Sequence, residues 1–127
     1  MRLLIDTQIA IWWQIKPEAI SDATLALVQS AEAVYVSRAS VWEMAIKCGL
    51  GKLQIDLPLF CEHIEKNGFH WLDIKQEHIL NLMKLPIFDD HKDPFDRLLV
   101  AQSIYEPLTF LSADNKLARY GSTVKII

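Results

Sequence analysis

Leu3-Leu4-Ile5, ended by Asp6 and followed at once by the helix-like run TQIAIWWQ over 7–14, is the stretch that decides the fold. Three successive apolar residues with no polar residue between them fit a strand covered on both faces, as in a parallel sheet between helix layers. The pattern repeats outward from there. Pro17 interrupts the first helical run, and Ser21 stands where an N-cap belongs for a helix through Ser30. The β-branched and aromatic run AVYV at 33–36 reads as a second strand. Ser37 or Ser40 caps the next helix, which runs to Cys48 and stops at Gly49. Pro58 opens a helix over 59–66 that Asn67-Gly68 ends; 69–74 reads as strand and 76–85 as a helix stopped by Pro86. Asp93-Pro94 starts a strongly apolar helix to Tyr105, followed by a strand at 108–111, a short helix at 115–120 and a last strand at 124–127. Strands alternating with helices predict an α/β chain, a three-layer α/β/α domain with a mostly parallel central sheet, forming one domain over 1–127.

Composition narrows the class. The hydrophobic share of 51% and charged share of 23% are those of a globular chain, which argues against disorder or low complexity. A net charge of −3 argues against a protein that coats nucleic acid by charge alone. It is compatible with a polyanionic substrate held through a cation. The first apolar runs, 3–5 and 9–13, are far shorter than the roughly 20 residues of a membrane span, so neither a targeting segment nor a membrane association is expected. Cys48 and Cys61 form no CxxC pair and no disulfide framework, and a reducing cytoplasm is the expected setting.

In an open α/β sheet, ligands bind beyond the carboxyl ends of the strands. Four acids fall near that edge: Asp6 directly after the first strand, Glu43 in the helix after the second, Asp96 in the first turn of the helix opened by Asp93-Pro94, and Asp114 shortly after the LTFL strand. Carboxylates crowded into one cleft repel, and a cation is the natural compensator. Oxygen ligands favour Mg²⁺ or Mn²⁺. Each acid also has a local explanation. Asp6, Asp93 and Asp114 suit helix N-caps, Asp96 at the third helical position suits the dipole, and Glu43 with Lys47 makes an i,i+4 pair.

Taken together, LLIDTQIAIWW at 3–13, VSRASVWEMAIKCGLGKL at 36–53, HKDPFDRLLVAQS at 91–103 and LSADNKLARYG at 111–121 resemble the PIN-domain ribonucleases, in particular the VapC-like toxins of toxin–antitoxin pairs. The resemblance spans nearly the whole chain. It implies that Asp6, Glu43, Asp96 and Asp114 are an acidic quartet holding Mg²⁺ or Mn²⁺, with Thr7 and Ser112 supporting the carboxylates and Asp93 capping beside them. It also implies metal-assisted hydrolysis of RNA phosphodiesters, a homodimer, and an antitoxin partner that occludes the cleft. Gln8 departs from relatives that carry His there.

Other residues read as structural. His63, His70, His78 and His91 have neither HExxH nor zinc-finger spacing, and His91 is expected to order the loop before Asp93 rather than bind metal. Trp12, Trp13 and Trp42 could stack on bases, but suit the core or a subunit interface better. Arg38, Lys47, Lys52, Arg97, Lys116 and Arg119 flank the acids and are expected to be solvated or locally paired. Two rival readings are a phosphoacceptor α/β domain and a catalytically silent module of the same fold. The first lacks a second acid at position 8, and the intact quartet argues against the second.

Overall fold

In the computed structural model, which describes residues 1–127, the first strand β1 (Arg2–Ile5) lies at the centre of a five-stranded sheet. β2 (Ala33–Ser37) and β3 (His70–Leu72) extend it on one side, β4 (Thr109–Ser112) and β5 (Val124–Ile126) on the other. The order is β3-β2-β1-β4-β5, and every neighbouring pair is parallel. Ile5 pairs with Val36 on one flank and Leu111 on the other. The sheet grows first one way from β1 and then the other, so β1 and β4 bracket the switch point where α/β folds bind ligands.

Alternation along the strands divides the core into two layers. Leu3, Ile5, Val34, Val36 and Leu111 pack against α1 (Thr7–Ile15), α2 (Asp22–Ser30), α3 (Arg38–Gly49) and α4 (Leu57–Lys66), through Ile9, Val28, Met44 and Ile64. Leu4, Leu72 and Phe110 face the other way, onto α6 (Pro94–Tyr105) and the 3₁₀ turn Asn115–Tyr120. This is the α/β/α sandwich expected from the sequence, with a fully parallel sheet. No helix is long and apolar enough to cross a membrane.

Local signals work through side-chain caps. Asp6, Ser21, Ser37, Asp56 and Asp93 each accept a backbone N–H in the first turn of the helix they precede. The cap of α3 is thus Ser37, while Ser40 turns inward to Thr7. Gly68, at φ +80°, supplies the left-handed residue that lets the chain leave α4 for β3.

Several boundaries move. α4 starts at Leu57, because the Asp56 cap precedes Pro58 by two residues. The strand expected over 69–74 shortens to β3, which pairs only with β2 at the sheet edge. The helix expected over 76–85 divides into α5 (Gln76–Asn81) and a 3₁₀ turn, Leu82–Lys84, and the segment 115–120 is also 3₁₀. β4 runs one residue further than expected, so Ser112 belongs to the sheet.

Candidate metal centre

Asp6, Glu43, Asp96 and Asp114 come together from four different elements around a cleft of about 380 Å³ at the carboxyl edge of β1 and β4. Asp93, Thr7, Gln8 and Lys47 share its lining, and Lys47 is the only basic residue among the lining side chains. The switch point of the sheet and the convergence of the acids coincide.

Asp6 leaves β1 buried and held at both oxygens. Oδ1 accepts the Ile9 amide at 2.8 Å, and Oδ2 accepts the Ser112 hydroxyl at 2.6 Å. Asp6 therefore serves as helix cap and cleft wall at once. Burial raises its pKa against the opposing pull of these hydrogen bonds. Ser112 is the expected carboxylate support. Thr7 is not: its hydroxyl donates to Ser40 at 2.9 Å, because the first turn of α1 packs against the start of α3.

Glu43 corrects the picture of a solvated helix pair. Its Oε2 does meet Lys47 Nζ at 3.1 Å, but the residue is only 8% exposed and its Oε1 is buried without a hydrogen-bond partner. Leaving a buried carboxylate oxygen unpartnered costs several kcal/mol. That orphaned oxygen, in a cleft walled by four further carboxylates, fits a cation. The donor set is hard oxygen, suited to Mg²⁺ or Mn²⁺.

Asp96 sits at the third residue of α6, whose first turn is capped by Asp93 Oδ1 on the Asp96 amide at 2.9 Å. Its pKa is pushed up to about 6, first by burial and then by the neighbouring Asp93 charge, partly offset by a hydrogen bond from His91. Asp114 is exposed at the cleft rim, where Oδ1 caps the 3₁₀ turn through the Lys116 amide at 3.0 Å.

His91 does more than order its loop. Its Nε2 lies 3.2 Å from Asp96 Oδ2, and donor atoms of His91, Asp96 and Asp114 all lie within 4.8 Å of one another. The only sequence signal for this was its place five residues before Asp96 in HKDPFD. The other basic residues divide. Arg38 pairs with Asp73 and stacks over Trp71, Arg119 pairs with Asp90, and Lys116 and Arg97 reach backbone carbonyls. Trp12 and Trp13 pack half-buried on the first core layer, whereas Trp42 is exposed and meets only the edge of Phe95 among the aromatic rings.

Comparisons with known proteins place the chain in a family and match its fold. The PIN domain family matches residues 3–122. Ribonuclease VapC22 of Mycobacterium tuberculosis is 23% identical over 124 residues, spanning 91% of this chain and 88% of that protein. The fold is similar to that in the crystal structure of VapBC2 from Rickettsia felis bound to a DNA fragment from their promoter. That match has a TM-score of 0.70 at 14% identity and covers 100% of this chain and 98% of that one. It is also similar to FitAcB from Neisseria gonorrhoeae, with a TM-score of 0.63 at 19% identity over 91% and 89% of the two chains. With a match running from β1 through the turn after β4, and the acids of that segment gathered at the switch point of its sheet, the chain belongs to the PIN domain family.

Proposed function

We propose that residues 1–127 act as a single nuclease domain, a Mg²⁺-dependent endoribonuclease with Mn²⁺ able to substitute, and that the protein is the toxin of a toxin–antitoxin pair. The observation that carries this reading is the orphaned Glu43 Oε1 in a cleft shared with Asp6, Asp96 and Asp114. Asp6 and Asp96 are the principal ligands in this proposal, with Glu43 and Asp114 completing or orienting the hydration shell. A bound divalent cation supplies Lewis acidity and charge neutralisation to a phosphodiester. The chain's own part is positional. Ser112 and the Ile9 amide fix the Asp6 carboxylate, Asp93 anchors the turn that presents Asp96, and Lys47 holds Glu43.

The similarity to VapC22 supports the ribonuclease reading, and the likeness to VapBC2 supports an antitoxin partner. Trp42 and Ile46 on α3 and Leu50 at its C-cap form an exposed apolar stripe at i, i+4, i+8, on the helix that also carries Glu43 and Lys47 into the cleft. Such a stripe suits a partner chain seated beside the site. The same reading makes the protein a cytoplasmic homodimer, which light scattering at micromolar concentration tests by reporting twice the chain mass.

The deciding experiment incubates chelator-treated protein with a looped RNA, its perfect duplex and a matched DNA, then restores Mg²⁺ or Mn²⁺. Cleavage is expected only after the ion returns, and the looped RNA should be cut first, because unstacked strands can bend into a cleft. Cutting that persists in chelator removes the metal mechanism. Equal cutting of DNA removes the ribonuclease assignment.

A further inference from the structure

We infer that His91 is a positioning residue that fixes the Asp96 carboxylate for the cation, and that the turn before α6 and the 3₁₀ turn after Asp114 form one clamp that presents its imidazole. The inference rests on the proposed cation site but concerns residues outside the acidic quartet.

The imidazole is buried and engaged at both ring nitrogens. Nε2 meets Asp96 Oδ2 at 3.2 Å, and Nδ1 meets the Tyr120 hydroxyl at 2.7 Å. A carboxylate only accepts, so Nε2 carries the hydrogen. In the neutral ring Nδ1 then accepts from the Tyr120 hydroxyl, which makes a directed chain from Tyr120 through His91 to Asp96. The chain occupies Oδ2, while Oδ1 of Asp96 accepts no hydrogen bond within the protein. One oxygen is tethered and the other is left for the cation. Outer partners of this kind orient metal-binding groups, and their loss typically weakens metal binding 10–100-fold.

The surroundings look built to hold the ring still. Phe88 and His91 close a small antiparallel bridge, with the His91 amide donating to the Phe88 carbonyl at 3.3 Å. Tyr120 lies edge-on to both rings, at 5.2 Å from Phe88 and 5.4 Å from His91. Arg119 forks onto both carboxylate oxygens of Asp90 and stacks over Phe88, and Lys116 Nζ donates to the Asp90 carbonyl at 3.3 Å. Lys116, Arg119 and Tyr120 all belong to the 3₁₀ turn that Asp114 caps. The clamp therefore ties the turn bearing Asp114, which follows β4, to the side chain of Asp96 in the first turn of α6.

The test measures Mn²⁺ affinity by calorimetry on chelator-treated protein, and cleavage across a Mn²⁺ titration, for wild type, His91→Ala, His91→Asn, His91→Gln, Tyr120→Phe and Asp96→Asn. The amide of Gln can replace Nε2 at Asp96, whereas that of Asn can serve only the Tyr120 side. We expect His91→Ala and His91→Asn to bind Mn²⁺ 10–100-fold more weakly. Their kcat at saturating metal should stay within about threefold of wild type, since the defect is in holding the ion. His91→Gln should restore most of the affinity, and Tyr120→Phe should lose less than His91→Ala. Wild-type affinity in His91→Ala, or in His91→Asn should the alanine variant not fold, overturns the inference. So does a directly coordinated imidazole nitrogen in the pulsed electron paramagnetic resonance of the Mn²⁺-loaded wild type, which would make His91 a ligand. Asp96→Asn separates the two levels: unchanged Mn²⁺ binding there removes the cation site itself, while loss there with no effect at His91 removes only the clamp.

Discussion

The two ends of α6 carry carboxylates that the fold treats in opposite ways. Asp96, in the first turn, has its pKa pushed up to about 6; burial and the Asp93 charge dominate, against one imidazole contact. Glu106, at the C-cap, is also pushed upward by burial, but hydrogen bonds from Lys75 and His78 more than reverse this and hold it below the ordinary carboxylate range. The helix dipole favours the reverse order, since an anion is stabilised at the N-terminus and disfavoured at the C-terminus by up to about 1 kcal/mol. Partners and burial outweigh it at both ends.

The contrast separates a structural ion cluster from a cleft that needs a ligand. Around Glu106, His78 is fully buried and its Nδ1 accepts the Lys75 amide at 3.0 Å, so Nε2–H points to Glu106 Oε2 at 2.7 Å; Lys75 Nζ adds a contact at 2.9 Å. Negative charge there is answered within the chain. In the cleft, five carboxylates, the quartet and Asp93, face one lysine, and one buried oxygen has no partner. Charge left unanswered by the protein is what the proposed cation would answer.

The largest effect should come from removing the unanswered charge. Asp96→Asn should cut metal-dependent RNA cleavage by at least about 100-fold, the upper end of what loss of an outer partner alone costs. In chelator it should raise Tm by roughly 3 °C or more, because it relieves repulsion that the metal-free fold carries. Wild-type cleavage by the purified variant would dissolve the contrast. Glu106→Ala should do the opposite, leaving cleavage within about twofold of wild type while stranding His78 and Lys75. Leaving the buried His78 imidazole unpaired costs about 1–3 kcal/mol, a fall in Tm of roughly 4–12 °C for a chain of this size.

The pH dependence sharpens the comparison, because the two groups carry opposite signs. Asp96 has a folded pKa above its unfolded value of 3.8, so the folded state binds the proton more tightly. Metal-free protein should gain stability through this group as pH falls from 7 towards 5. Glu106 has a folded pKa below its unfolded value of 4.5, so its stabilisation is present above that pH and is lost as pH falls through and below it. Denaturation in chelator across pH 3–8 should show Asp96→Asn with a shallower first slope, Asp6 keeping its own share, and Glu106→Gln without the second. Identical profiles for both variants would mean that the two ends of α6 are electrostatically alike.

The smallest effect is expected at Asp93, which caps α6 and borders the cleft. Asn caps helices about as well as Asp. Asp93→Asn should therefore change stability by less than about 0.5 kcal/mol and reduce cleavage less than tenfold. A loss as complete as in Asp96→Asn would make Asp93 a ligand rather than a cap.

Much of this was legible in the chain because it is local. The apolar run ending at Asp6, the caps at Ser21 and Asp93, and the Asn67-Gly68 stop act through neighbours a few residues away, so their pattern carries through to the fold. The acids at the strand ends were visible for the same reason: alternating strands and helices dictate which loops share an edge. What tertiary structure alone decided depends on distant partners. The order β3-β2-β1-β4-β5 puts Ser112 against Asp6 across 106 residues, and buries Glu43 where its spacing to Lys47 suggested an exposed pair. It turns Thr7 to Ser40 and brings His91 onto Asp96 under the grip of Tyr120. A carboxylate's type and position are written in the sequence. Its solvation and the partners that answer its charge arise only when remote segments pack, and those set whether it is a cap, an ion pair or a place for a cation.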